Sequence, residues 1–128
     1  MDPTVRAATR ILVVDDDRLS RELVVELLEA VGYSVLQAED GAGLLERVKE
    51  EQPALILMDL QLPGLDGFTL IRQLKTEPAT KEIPILAMTA HAQPEDQERA
   101  LAARCNDCIT KPLSTAGLLQ TVARLLRR

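Results

Sequence analysis

Four short apolar runs, each ending on a particular polar group, constrain this chain more than any other feature. ILVV (11–14) runs into Asp15, Asp16 and Asp17, and ALILM (54–58) ends at Asp59. IPILAM (83–88) ends at Thr89, and CIT (108–110) leads into Lys111 and Pro112. Short continuous apolar runs suit strands buried on both faces, as in a parallel sheet. The C-terminal ends of parallel strands lie along one edge. That edge would gather a carboxylate cluster, a hydroxyl and an ammonium, a set able to hold a divalent cation and a phosphoryl group together.

Between the runs the hydrophobic period changes. Over 18–31, Leu23, Val24, Leu27, Leu28 and Val31 fall on one helical face, and Gly32 stands where a helix would stop. Tyr33–Ala38 predicts a second strand. Asp40 is a candidate N-cap for a short second helix carrying Leu44, Leu45 and Val48 and ending before Pro53. LPGLDG (62–67) predicts a turn-rich loop, followed by a third helix with Phe68, Ile71 and Leu74 that breaks at Glu77-Pro78. Pro94 suits the first turn of a fourth helix over about 94–104, Asp107–Thr110 a fifth strand, and Leu118, Leu119, Val122, Leu125 and Leu126 a final helix. Strands alternating with helices predict an α/β fold: a flavodoxin-like, doubly wound (βα)5 three-layer sandwich with parallel sheet order 2-1-3-4-5.

The 128 residues fit one domain, expected over 10–128 with an N-terminal extension at 1–9. Aromatics are only 2%, so the core must be aliphatic. A net charge of −5 argues against nucleic-acid binding and against a polybasic membrane surface. No apolar run approaches the roughly 20 residues of a membrane span, and the first residues carry no apolar signal-peptide core. The expected compartment is the cytoplasm, with both cysteines reduced.

With strands one and three adjacent at the switch point, Asp15, Asp16 and Asp59 converge. Like charges that close repel, and a hard cation relieves them; Mg²⁺ (or Mn²⁺) fits, since it takes one or two carboxylates, keeps waters and accepts phosphate oxygens. A carboxylate can also act as a nucleophile on phosphorus, with Lys111 and Thr89 each holding a phosphoryl oxygen.

These residues carry a resemblance. ILVVDDD, LILMDLQLPGLDG, IPILAMTA and ITKPL, in this order and at these separations, resemble the receiver domain of two-component response regulators from about Arg10 to Leu126, and in particular the single-domain chemotaxis regulators. The resemblance implies that Asp59 is the phosphoacceptor, in a protein that catalyses only its own phosphorylation and dephosphorylation. It implies that Asp16 binds Mg²⁺ directly, Asp15 often through water, and that Asp59 and the backbone carbonyl of Gln61 complete the protein ligands. Thr89 would be the switch hydroxyl, Thr89, Ala90 and Lys111 the phosphate-binding set, and Lys111-Pro112 a cis peptide. The implied phosphodonor is a sensor histidine kinase or a histidine phosphotransfer protein. Phosphorylation would alter the surface of the fourth helix, fifth strand and final helix, which meets a downstream effector or supports a phosphorylation-dependent dimer.

The chain departs from the family pattern at several positions. Cys108 stands where relatives carry the aromatic switch residue, which implies an altered output with phosphorylation intact. Arg104 stands where relatives often have a helix-ending Gly, so a positive φ is expected there. Gln61 and His91 flank the pocket at positions that tune phosphoryl lifetime.

Other readings fit less well. Asp15-x-Asp17 after a strand resembles haloacid-dehalogenase-type phosphatases, but Leu19 stands where those carry Thr or Val, and no cap segment is present. A flavin-binding flavodoxin needs a Ser/Thr/Gly-rich phosphate loop where this chain has three aspartates. A pseudo-receiver is opposed by the complete acceptor set. Cys105-Asn106-Asp107-Cys108 is a C-x-x-C, but it follows a helix rather than opening one, and His91 is the only histidine, so two structural thiols are expected. Arg124, Arg127 and Arg128 suit the negative end of the final helix.

Overall fold

The parallel sheet is assembled from β1 (Arg10–Val14), β2 (Ser34–Ala38), β3 (Leu55–Asp59), β6 (Ile85–Thr89) and β7 (Asp107–Thr110), in spatial order β2-β1-β3-β6-β7. In a computed structural model, residues 9–62, 65–89, 98, 104–110 and 115–127 are described, with backbone only at 61, 62, 65 and 66. The sheet order is the expected 2-1-3-4-5 once a two-stranded hairpin, β4 (Gln61–Leu62) with β5 (Leu65–Asp66), is set aside. The hairpin, antiparallel with Gln61 opposite Asp66, occupies part of the predicted turn-rich loop. The described helices are α1 (Arg18–Ala30), α2 (Leu44–Glu51), α3 (Gly67–Thr76) and α4 (Thr115–Leu126). Of the expected fourth helix, Glu98 is described and helical, and Arg104 lies in a turn; the rest is outside the described residues.

Strand alternation explains the three layers. Leu12, Val14, Ile56, Met58, Ile85 and Ala87 face one apolar cluster with Val48 of α2 and Ile71 and Leu74 of α3. Their neighbours Ile11, Val13, Leu55, Leu57, Leu86 and Met88 face a second cluster with Val24 and Leu28 of α1 and Leu118, Val122 and Leu125 of α4. The central strands β1, β3 and β6 are buried on both faces, which is why they are continuous apolar runs, while the edge strands β2 and β7 are partly exposed and carry polar residues.

Helix ends follow local chemistry. Asp17 caps α1, its side chain accepting the Leu19 N–H at 3.2 Å. The helix stops at Gly32, φ 101°, with Gly32 N–H on the Glu29 carbonyl at 3.0 Å and Tyr33 N–H on that of Leu28 at 3.2 Å, a Schellman motif. Asp40 does not cap α2. Its carboxylate accepts the Ala42 N–H at 3.0 Å, and Gly43, φ 66°, takes the cap position with no side-chain bond. The face of α1 also differs from expectation: Leu23 is 51% exposed, and Arg21, at 8%, is buried in its stead.

Arg104 has φ 71°, as expected for a residue in a glycine's place. A β-carbon in that conformation is strained, and the site is exposed. Arg104→Gly is therefore expected to raise the unfolding free energy by about 0.5–1 kcal/mol, read by urea denaturation.

Candidate functional site

Register brings the strand ends together. Val14 pairs with Met58, so Asp15 and Asp59 are the next residues on adjacent strands, and alternation gives them the same parity. Asp59 pairs with Met88, one step before Thr89, and Thr89 pairs with Thr110, one step before Lys111.

Asp15, Asp16 and Asp59 each place a carboxylate oxygen so that all three lie within 4.8 Å of one another. Among the described residues, no other group of three or more His, Cys, Asp or Glu side chains does so. Asp15 is fully buried and Asp59 is 5% exposed, while Asp16 opens to solvent. Thr89 is 2% exposed at the end of its strand. Buried like charges this close favour a cation or a proton between them, and hard oxygen donors with one open side suit Mg²⁺.

The aspartates are held from several directions. Asp15 N–H continues the sheet onto the Ala38 carbonyl at 3.1 Å, and its Oδ1 accepts the Asp17 N–H at 3.0 Å. After Asp59, Leu60 N–H bonds the Met88 carbonyl at 2.9 Å. Two contributors have no hydrophobic signature in the sequence. Arg21 donates through Nη1 to the Asp15 carbonyl at 2.8 Å. Gly67, the first residue of α3, packs so closely that a β-carbon there would lie 2.8 Å from Leu60 Cα and 3.0 Å from the Asp59 carbonyl.

Lys111, Pro112, Ala90 and His91 lie outside the described residues, as does the side chain of Gln61. The Gln61 backbone opens β4, two residues past Asp59. Cys108 lies in β7 opposite Ala87 and packs against the cluster that contains Cys105.

The sequence profile of the family described as "Response regulator receiver domain" matches residues 11–123. The chain belongs to the response regulator receiver domain family. A receiver is a phosphoacceptor switch rather than a true enzyme, and it works in two-component phosphorelay signalling. This receiver is 40% identical over 121 residues to the phosphate regulon transcriptional regulatory protein PhoB of Escherichia coli (strain K12), covering 94% of this chain and 53% of that protein. It thus spans about half that relative's length. It is 34% identical over 116 residues to the polar-differentiation response regulator DivK of Brucella anthropi, covering 91% of this chain and 94% of that one. Among solved structures, the receiver domain of the sensor histidine kinase PA1611 from Pseudomonas aeruginosa PAO1, with a magnesium ion coordinated in its active site cleft, matches with a TM-score of 0.87 at 31% identity, covering 94% and 98% of the two chains.

The C-x-x-C pair has a different character from the carboxylates. Burial first, then the fields of Cys108 and Asp107, push the Cys105 thiol up to about 11, against an opposing pull from Lys75. A thiol held protonated is a poor metal ligand and a poor nucleophile. Its folded value lies above the unfolded one, so its contribution to stability is whole below about pH 9 and is lost as the pH rises toward 11. Denaturation across that window is expected to show falling stability in the wild type and a flatter profile in Cys105→Ala.

Proposed function

We propose that this receiver accepts a phosphoryl group on Asp59 in a Mg²⁺-dependent reaction. The observation that carries the reading is the convergence of Asp15, Asp16 and Asp59 at the ends of adjacent strands. Asp15, Asp16, Asp59 and the Gln61 carbonyl would hold the ion, which when bound would supply positive charge against the incoming phosphoryl oxygens. An Asp59 oxygen attacks phosphorus and forms the O–P bond while the P–N bond of a phosphohistidine breaks. The donor nitrogen keeps the electron pair. Thr89, Ala90 and Lys111 take the phosphoryl oxygens, and Gln61 and His91 set how readily water reaches the acyl phosphate.

The donor is a sensor histidine kinase or a histidine phosphotransfer protein, met in the cytoplasm. Leu19, 77% exposed, and Leu23 stand one turn apart on α1, beside the aspartates, where a protein delivering the phosphoryl group would touch them. Movement of Thr89 is passed to the surface of the 94–104 segment, β7 and α4, where a downstream effector or a second copy docks. Cys108 in β7 lacks the ring that would report that movement, so the output is altered while phosphorylation is kept.

The test is intact mass after incubation with a small acyl phosphate. One added phosphoryl group that requires Mg²⁺ supports the reading. A folded protein that binds Mg²⁺ and beryllofluoride but never gains mass, even at short times, would overturn it.

A further inference from the structure

Arg21 is a buried cation on a helix whose other buried residues are apolar. Its guanidinium is shared among three acceptors. Nη1 donates to the Asp15 carbonyl at 2.8 Å and Nε to Gln37 Oε1 at 3.2 Å, while Nη2 lies 3.7 Å from the exposed Glu39 carboxylate. The Gln37 carbonyl is in turn held by Arg47 Nη1 at 2.5 Å. The end of β2 is thereby tied to α1 and α2.

The Asp15 carbonyl belongs to the peptide joining Asp15 to Asp16. β1 ends at Val14, so beyond it the strand ladder no longer sets that peptide plane. Rotating the plane would swing both carboxylates. Asp15 N–H on the Ala38 carbonyl and Asp17 N–H on Asp15 Oδ1 hold the peptides on either side, and Arg21 holds the carbonyl of the peptide between them. A guanidinium brought this close to a cation site would be unfavourable on charge alone. Its place there is explained by the geometry it imposes, since a planar fork fixes the directions of its hydrogen bonds whereas the donors of an ammonium rotate freely.

We propose that Arg21 is a positioning residue for the cation site: it orients the Asp15–Asp16 peptide so that both carboxylates meet Asp59. The inference rests on the reading of the three aspartates as a Mg²⁺ site. It does not require Arg21 to touch the ion or the phosphoryl group.

The sign of the effect tests it. Loss of a nearby positive charge alone would tighten Mg²⁺ binding, whereas loss of a positioning contact weakens it. Isothermal titration with Mg²⁺, read beside thermal melting, is expected to show about a 10-fold weaker affinity in Arg21→Met. Arg21→Lys, which keeps the charge and loses the fork, is expected to lose about 3-fold or more. Val25→Ala, a cavity on the same helix, is expected to lower the melting temperature and leave the affinity unchanged.

Wild-type or tighter affinity in Arg21→Met overturns the proposal. So does an equal loss in Val25→Ala, which would make the effect general loosening. Should Arg21→Met fail to fold, Arg21→Lys decides alone, with wild-type affinity overturning. If the wild type binds Mg²⁺ no better than Asp16→Asn, the cation-site reading itself has failed, a result independent of Arg21.

Discussion

Asp59→Asn will fold, and it will gain no phosphoryl mass under conditions that modify the wild type. The amide is close to isosteric with the carboxylate but is not a nucleophile, so the covalent step has no acceptor. Stability is the second readout. Asp15 and Asp59 are both buried, and their nearest oxygens lie within 4.8 Å. At an effective dielectric of 20–80, two such charges repel by about 1–3 kcal/mol. In Mg²⁺-free buffer the variant should therefore melt at or above the wild-type temperature. Added Mg²⁺ should stabilise it less than it stabilises the wild type, because one hard ligand has gone. A variant that still gained one phosphoryl group would move the acceptor to another residue, with Asp15 and Asp16 the first to inspect by peptide mapping.

The second large effect is expected from one methyl group. Gly67→Ala would place a β-carbon 2.8 Å from Leu60 Cα, 2.9 Å from the Leu60 carbonyl and 3.0 Å from that of Asp59. These are backbone atoms, so no rotamer change relieves the contact, and either α3 or the end of β3 must shift. Overpacking of this kind costs about 1–3 kcal/mol. Displacement of the Asp59–Leu60 peptide should slow phosphoryl uptake about 10–100-fold, since reactivity is steep in the placement of the attacking atom. Gly43→Ala separates the two components. Gly43 has φ 66° but nothing within 4 Å of a new β-carbon, so that variant should lose about 1 kcal/mol through backbone strain and phosphorylate normally. Equal rates in Gly67→Ala and wild type would show that the close approach does not set the acceptor.

The sequence was most legible where a single physical requirement dominated. Continuous apolar runs marked the three central strands because both faces of each must be buried, and the polar residue following each run marked the site-bearing edge because parallel strands end together. Gly32 marked the end of α1 because only a residue free to adopt positive φ closes that motif cheaply. Local boundaries were less legible: the segment starting at Ile83 enters the strand only at Ile85, and Asp40 was displaced as a cap by Gly43. Pro84 has no N–H to give the ladder, and Asp40 is engaged with the Ala42 N–H while Gly43 supplies the positive φ at the cap.

The sequence by itself determined the layer order, the identity of the three converging carboxylates and the aliphatic core. Only the tertiary structure decided the phase of α1, turning Arg21 inward and Leu23 outward. Hydrophobic periodicity favours Leu23 for burial, but the first turns of α1 lie over the carbonyl-rich end of β1, where a cation with several acceptors is better accommodated than a methyl group. Only the tertiary structure, too, showed why residue 67 must lack a side chain. That requirement comes from a backbone crossing between α3 and β3, and hydrophobicity along the chain carries no record of how closely two backbones will pass.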